Sequence, residues 1–300
     1  MDAFLKIIIS FIFLYFILFW TIPRKTILFE LLRIPIFLFR SITAERKNMI
    51  VEKHRFGKHR RQYVLFSQPL NQKTSKKNVI VYYHGGGWRS GSPELLQSNA
   101  QFLVNMGYYV FMPSYRRSPF NGFTEIREDI SMSLIKTIEI MKNHGLEDKK
   151  IILGGMSAGG NLVALKLYDR KELTKIGLSQ NIFGGLMLFG APLDLETMKD
   201  SFVLRDFAGS RDSKTFQLAN PVRHLQKDEN TPVLCVHGTH DGLVPYSSSL
   251  SFNNKLSEIN KEILTFVTVK KASHLEIATW AIEDNHIRKV MVEWLQQREE

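Results

Sequence analysis

Ser157 stands at the centre of Gly155-Met156-Ser157-Ala158-Gly159, with the apolar run Ile151-Ile152-Leu153 before it and a helix-compatible run from Leu162 to Leu167 after it. A serine hydroxyl is a poor nucleophile until something presents it, takes its proton and stabilises the oxyanion it creates. Strand, tight turn and helix in that order supply the presentation. Gly155 and Gly159 omit the side chains that would collide where strand and helix close on each other, so the hydroxyl stands clear of the backbone. The Ala158 amide, at the start of the helix, points toward the same space. Taken alone, the motif is a weak signal that also describes an ordinary glycine-rich turn. It gains weight from His84-Gly85-Gly86-Gly87-Trp88, which follows another apolar, β-branched run, Val79 to Tyr83. Three successive glycines suit a loop whose amides must approach a ligand closely. The amides of Gly85, Gly86 and Ala158 are therefore the candidate oxyanion hole. The competing reading is a glycine loop that only permits tight strand-to-helix packing.

The serine needs a base, and the base needs an orienting acid, both on loops after later strands. Pro232 to Val236 reads as a buried strand and ends in His237-Gly238-Thr239-His240-Asp241-Gly242. Ile263 to Val269 alternates as a strand and ends in Lys270-Lys271-Ala272-Ser273-His274. Ser157, Asp241 and His274 then follow the chain order expected when the nucleophile sits on a strand-to-helix turn. Asp241 also has a plainer reading as a turn residue before Gly242. Among the other histidines, His84 is expected to brace the glycine loop by hydrogen bonding, and His237 to be a strand-end residue satisfied locally.

These residues resemble the hormone-sensitive-lipase-like branch of the α/β-hydrolases, with its carboxylesterases and arylacetamide-deacetylase-like enzymes, over roughly Val79 to Leu295. His84 to Trp88 is similar to the family's His-Gly-Gly-Gly motif, and Ser157-Ala158-Gly159-Gly160-Asn161-Leu162 to its nucleophile motif. Tyr115-Arg116-Arg117-Ser118-Pro119 and Ala191-Pro192-Leu193-Asp194-Leu195 resemble two further segments, in the right order. Met156 departs from the pattern, where the family usually carries aspartate, and Phe120 replaces a frequent glutamate. The resemblance implies hydrolysis of carboxylic esters with short to medium acyl chains through an acyl-serine intermediate. A peptidase or amidase using the same triad, or a silent membrane-tethered binding protein, are the alternatives in other functional classes.

The elements that must position these residues are legible in outline. Candidate helices at Glu94–Asn105, Glu125–Lys142, Leu162–Tyr168, Ser249–Glu258 and Glu283–Gln297 alternate with the strands. The expected architecture is an α/β-hydrolase fold over residues 62–300, a mainly parallel sheet with helices on both faces and the site at the strands' carboxyl ends. Residues 195–225 read as an irregular insertion, either a lid or a surface excursion.

Ahead of this domain, Ala3 to Ile22 carries Lys6 as its sole charge and is long enough to cross a bilayer. A retained transmembrane anchor over residues 1–23 is expected, because no small-residue cleavage site follows. Residues 24–61 read as a basic amphipathic juxtamembrane or cap segment. From Arg24 to Arg61, eleven basic and three acidic residues leave +8 of the chain's formal +11. Anionic lipid explains this better than nucleic acid, since no recognition fold accompanies the run. The charge bias favours a single-pass membrane protein with its catalytic domain in the cytoplasm. Residues before about Arg40 are expected to tether the enzyme without building its active site. No metal-ligand cluster or phosphate loop is visible, so no cofactor or metal is expected, and Cys235 excludes an internal disulfide. The expected partners are a small-molecule, lipophilic ester and membrane lipid.

Overall fold

The computed structural model describes residues 3–43, 49–70 and 76–300. Eight strands form one sheet: β1 (Met49–Arg55), β2 (Tyr63–Pro69), β3 (Asn78–Tyr83), β4 (Val110–Pro113), β5 (Lys150–Met156), β6 (Phe183–Phe189), β7 (Val233–Gly238) and β8 (Leu264–Val269). Their spatial order is β1-β2-β4-β3-β5-β6-β7-β8. The first two pairings, β1 with β2 and β2 with β4, are antiparallel, and every later pairing is parallel.

The central strands are apolar at nearly every position because both faces of the sheet are covered. Their side chains alternate between two cores, as the two-residue period of a strand demands. Val79, Val81, Ile151, Leu153, Leu186, Leu188, Val233 and Cys235 pack on one face, with Ile126, Ile130 and Leu134 of the helix Phe123–Asn143 and Phe252 and Leu256 of the helix Tyr246–Asn260. Ile80, Tyr82, Ile152, Met187, Phe189, Leu234 and Val236 pack on the other, with Leu103 of the helix Gln97–Asn105 and Met291 and Trp294 of the helix His286–Gln297.

One part of the sequence reading is corrected. The sheet begins at Met49, inside the stretch read as a juxtamembrane segment. β1 is an edge strand, and Lys53 and Arg55 on it are charges of the kind that discourage further strand pairing. Glu45, Arg46 and Lys47, counted in the basic arm, lie outside the described residues.

The expected membrane-spanning helix finds no support in the structure. α1 runs Ala3–Thr21, and among the described residues no helix is long and apolar enough to cross a membrane. The chain turns at Pro23 into α2 (Ile27–Thr43), which packs back against α1. The Tyr15 hydroxyl donates to Leu32 O at 2.5 Å, and the Arg33 guanidinium donates to Phe19 O at 3.2 Å while lying over the rings of Phe19 and Phe29. The carboxyl-terminal part of the apolar run is thereby tied to α2, with Tyr15, Leu18 and Phe19 partly buried. That hairpin still shows solvent a broad apolar face that includes Phe13, Phe16, Trp20, Ile27, Leu31 and Phe39.

The helix Ala158–Tyr168 approaches the ends of β3 and β5 closely. A Cβ on Gly159 would lie 2.2 Å from Tyr83 O, and one on Gly155 would lie 2.5 Å from Gly159 C. Both obstacles are backbone. Gly145, by contrast, has φ +64° and nothing within 4 Å of an added Cβ. We therefore expect Gly159→Ala to cost several-fold more stability than Gly145→Ala, where only the positive φ is strained, by about 1 kcal/mol. Equilibrium denaturation of the two variants checks this, and equal losses would contradict the packing described.

Candidate active site

Ser157 leaves β5 with φ 55° and ψ −125°, a strained conformation for a residue bearing a Cβ. Two backbone bonds frame it: its amide donates to Phe189 O at 2.8 Å, and its carbonyl accepts from Asn161 N at 3.2 Å. The Asn161 side chain donates to Pro192 O and Ala219 O, fixing the first turn of the helix from the far side. Ala158 is the first residue of that helix, so its N–H has no intrahelical acceptor. Gly85 lies alongside: a Cβ there would come 3.1 Å from Ser157 Cβ. Gly86 has φ +118°, and a Cβ would come 2.3 Å from Ser90 O, so the loop needs glycine for conformation and for space. The structure thus brings Gly85, Ser157 and Ala158 together, with Gly86 one residue further along the same tight turn.

His84 braces this loop. It is buried, its Nδ1–H donates to Gly85 O at 2.7 Å, and its ring stacks on Tyr115 at 4.4 Å, while the Tyr115 hydroxyl donates to His84 O at 2.9 Å. Burial pushes the imidazole down to about 3, so it stays neutral. The next residue of the resembling segment, Arg116, is held by the buried Asp129 through both its amide and its guanidinium. The loop also touches the stretch read as an irregular insertion, which contains two short helices, Phe202–Ala208 and Lys214–Ala219. Trp88 stacks on Phe207 with centroids 4.1 Å apart, and Arg89 pairs with Asp206 at 3.1 Å.

Asp241 and His274 meet across 33 residues of sequence, His274 Nδ1 donating to Asp241 Oδ2 at 2.6 Å. The other carboxylate oxygen accepts the amides of Leu243 at 2.9 Å and Val244 at 2.7 Å. His237 Nε2 lies 3.3 Å from Oδ2 as well, and that ring also bonds Ser249 and Val244 O, so the histidine read as locally satisfied also supports the acid. Burial works against the charge of Asp241, but the adjoining His274 and His237 outweigh it and hold the carboxyl below its usual range. For His274, burial pushes downward, and Asp241 with Glu30 outweighs it, leaving the imidazole raised. With Nδ1 engaged, Nε2 is the atom left to accept a proton.

The rival carboxylate, Asp194, is committed elsewhere. It accepts from Ser251 Oγ at 2.6 Å and Asn220 Nδ2 at 3.3 Å, and it caps the turn at Leu195–Thr197. Met156, where the resembling family has aspartate, is buried in the apolar core that contains Phe189 and Trp280, a site that suits a thioether.

Two residues that sequence reasoning missed complete the geometry. Gly190, with φ +53°, follows β6, and a Cβ on it would come 3.2 Å from His274 Nδ1 and 3.4 Å from Asp241 Oδ2. Since Ser157 bonds to Phe189, Gly190 is the link between the serine turn and the Asp–His pair. A glycine ending a strand is the one signal it leaves in the sequence. Glu30, from α2, is fully buried, and its Oε1 accepts the His274 amide at 2.7 Å. The arm before Arg40, expected to serve as a tether alone, thus also contacts the backbone of His274.

A serine on a strained turn, an imidazole oriented by a buried carboxylate and a glycine loop lying against that serine are the parts that acyl transfer needs. Comparison with known proteins agrees with the fold. The family model described as BD-FAE matches residues 67–256. The probable carboxylic ester hydrolase LipM of Mycobacterium tuberculosis is 21% identical over 226 residues, covering 70% of this chain and 52% of that protein. Human arylacetamide deacetylase-like 3 is 28% identical over 154 residues, covering 50% of this chain and 36% of that protein. The chain thus spans about half the length of LipM and about a third of the human protein. Among solved structures, esterase B from Lactobacillus rhamnosis superposes with a TM-score of 0.68 at 18% identity, covering 90% of this chain and 91% of that one. This α/β-hydrolase fold, with its mainly parallel sheet, is the one the motifs implied.

If Asp241 orients His274, Asp241→Asn slows the reaction of Ser157 with an acyl donor roughly a thousandfold or more with little change in KM. Asp194→Asn leaves the rate near wild type. A protonated imidazole cannot take the serine proton, so wild-type kcat/KM falls on the acid side with a midpoint above 6.5, the ordinary histidine value. Kinetics of the two variants across pH check both points. Damage by Asp194→Asn in place of Asp241→Asn would contradict the assignment.

Proposed function

The chain belongs to the BD-FAE family, and from that premise we propose that it is a serine carboxylesterase working through an acyl-serine intermediate. The observation that carries this reading is the convergence of a strained serine turn, a braced glycine loop and a buried Asp–His pair at the carboxyl edge of one sheet. His274 Nε2 takes the Ser157 proton as Oγ attacks the ester carbonyl. The amides of Gly85, Gly86 and Ala158 receive the charge that develops on the carbonyl oxygen. His274 then gives its proton to the leaving alcohol, and the acyl group remains on Ser157. Water, deprotonated by His274, attacks the acyl-enzyme, and the acid departs as Ser157 regains its proton. Asp241 keeps Nδ1 protonated and stabilises the imidazolium formed in each half. These steps use protein groups and water alone.

The names of the ester hydrolase and deacetylase relatives support a carboxylic ester as substrate; a short to medium acyl chain and a lipophilic alcohol complete the proposal. The helix Phe202–Ala208, stacked through Phe207 on Trp88, acts in this reading as a cap beside the glycine loop. The exposed apolar face of α1 and α2, with Arg24, Lys25 and Arg40 near it, supports attachment to an anionic lipid surface, and the basic charge favours the cytoplasmic leaflet.

Ser157→Ala is expected to lower kcat for p-nitrophenyl butyrate by a thousandfold or more with unchanged circular dichroism, since a nucleophile's loss is not shared with other groups. A variant within about tenfold of wild type would overturn the reading. Running the matched anilide in parallel tests the leaving-group preference, and faster turnover of the amide would move the assignment to an amidase. Sedimentation with phosphatidylserine vesicles tests the location: binding that weakens with salt is expected, and no binding in low salt would contradict it.

A further inference from the structure

Glu30 is a fully buried carboxylate on a helix whose outward face is apolar, and among the described residues its side chain bonds to backbone amides far away in sequence. Its Oε1 accepts the amides of His274 at 2.7 Å and Gly242 at 3.2 Å, and its Oε2 accepts the amide of Leu275 at 3.3 Å. Those amides belong to the two loops that carry the proposed acid and base: Gly242 directly follows Asp241, and His274 is the base itself. The two carboxylates divide the backbone between them, Asp241 holding Leu243 and Val244 while Glu30 holds Gly242, His274 and Leu275. The docking around Glu30 is close. A Cβ on Gly242 would lie 2.4 Å from Thr26 O, and the Arg24 guanidinium donates to Lys271 O at 2.9 Å and pairs with Glu276 at 3.3 Å.

An ordinary helix cap does not account for this. The short helix His274–Ile277 already has a carboxylate of its own at that end, Glu276, which accepts the Ser273 amide at 2.7 Å. Glu30 adds a second from 244 residues away and joins to it the amide next to the acid. A buried charge is costly unless fully bonded, and here three amides meet it.

We propose that Glu30 is a positioning residue for His274 and Asp241, so that the amino-terminal hairpin is a working part of the active site. The proposal rests on the serine-triad reading. Glu30 fixes the backbone of both loops and sets a second negative charge beside the imidazole. Among the described residues, the charged groups that act on His274 are Asp241 on the β7 loop and Glu30 on α2, with His237 behind Asp241 and the exposed Arg24–Glu276 pair on the adjoining elements. Burial lowers the tendency of His274 to hold a proton, and Asp241 and Glu30 raise it. Removal of the Glu30 charge therefore moves the acid limb of activity to lower pH.

The test compares full-length wild type with Glu30→Gln, Glu30→Ala and Glu30→Asp, following kcat, KM, the pH profile and the rate of labelling by a fluorophosphonate. Glu30→Gln and Glu30→Ala should lower kcat tenfold or more, leave KM within about threefold and shift the acid limb downward. Glu30→Asp, which keeps the charge but is one methylene too short, should bring the limb back toward wild type while kcat stays low. Folded Gln and Ala variants with wild-type kcat and an unmoved limb would overturn the proposal. Failure of all three variants to fold would do so as well, since it would make Glu30 a purely structural residue. A wild-type chain that takes no label would instead overturn the triad reading, so the two failures are distinguishable.

Discussion

At Ser157 the backbone holds φ 55° and ψ −125°, and the surroundings that impose this conformation also place the rest of the site. The Ser157 amide is tied to the end of β6, and the helix it starts presses through Gly159 onto the carbonyls of Tyr83 and His84, where the glycine loop begins. One approach of backbone to backbone thus sets the distance from the hydroxyl to the Gly85 amide. A single added methyl at Gly155 or Gly159 would part the strand end from the helix, and every later distance in the site would change with it.

On the other side of the hydroxyl the controlling term is electrostatic. Asp241 and His274 are both buried, and each alone would be costly to charge. Together they are held in place: the amides of Leu243 and Val244 donate to Asp241, Glu30 of α2 accepts the His274 amide, and His237 is a second support for the acid. Such an arrangement costs no reorganisation as the imidazolium forms, because the dipoles that stabilise it are part of the fold. The glycine loop follows the opposite rule: His84 is kept neutral by burial and acts through its hydrogen bond and its stack on Tyr115.

The residues proposed to do the chemistry are the ones the sequence makes most legible. A glycine can be recognised where a strand runs into a helix, and Ser157, Asp241 and His274 each follow an apolar strand. The parallel sheet was legible for the same reason, through buried runs such as Val79 to Tyr83. β1 was not, because its charged, solvent-facing edge reads as part of a basic arm. α1 was read as a membrane span because hydropathy cannot tell a helix that crosses a bilayer from one folded on its neighbour through Tyr15 and Arg33. Glu30 was hidden for a related reason: a carboxylate in an amphipathic helix looks like its wet face, and only the tertiary fold turns it inward to amides more than 200 residues away.

The claim that all of these features serve one activated hydroxyl is tested most directly by locating a covalent adduct. The full-length chain is treated with a fluorophosphonate at neutral pH and its peptides are read by mass spectrometry. The account predicts a single stoichiometric adduct on Ser157, whose formation tracks loss of ester hydrolysis. Hydrolysis that persists in unlabelled enzyme, or an adduct on a different serine, would contradict it.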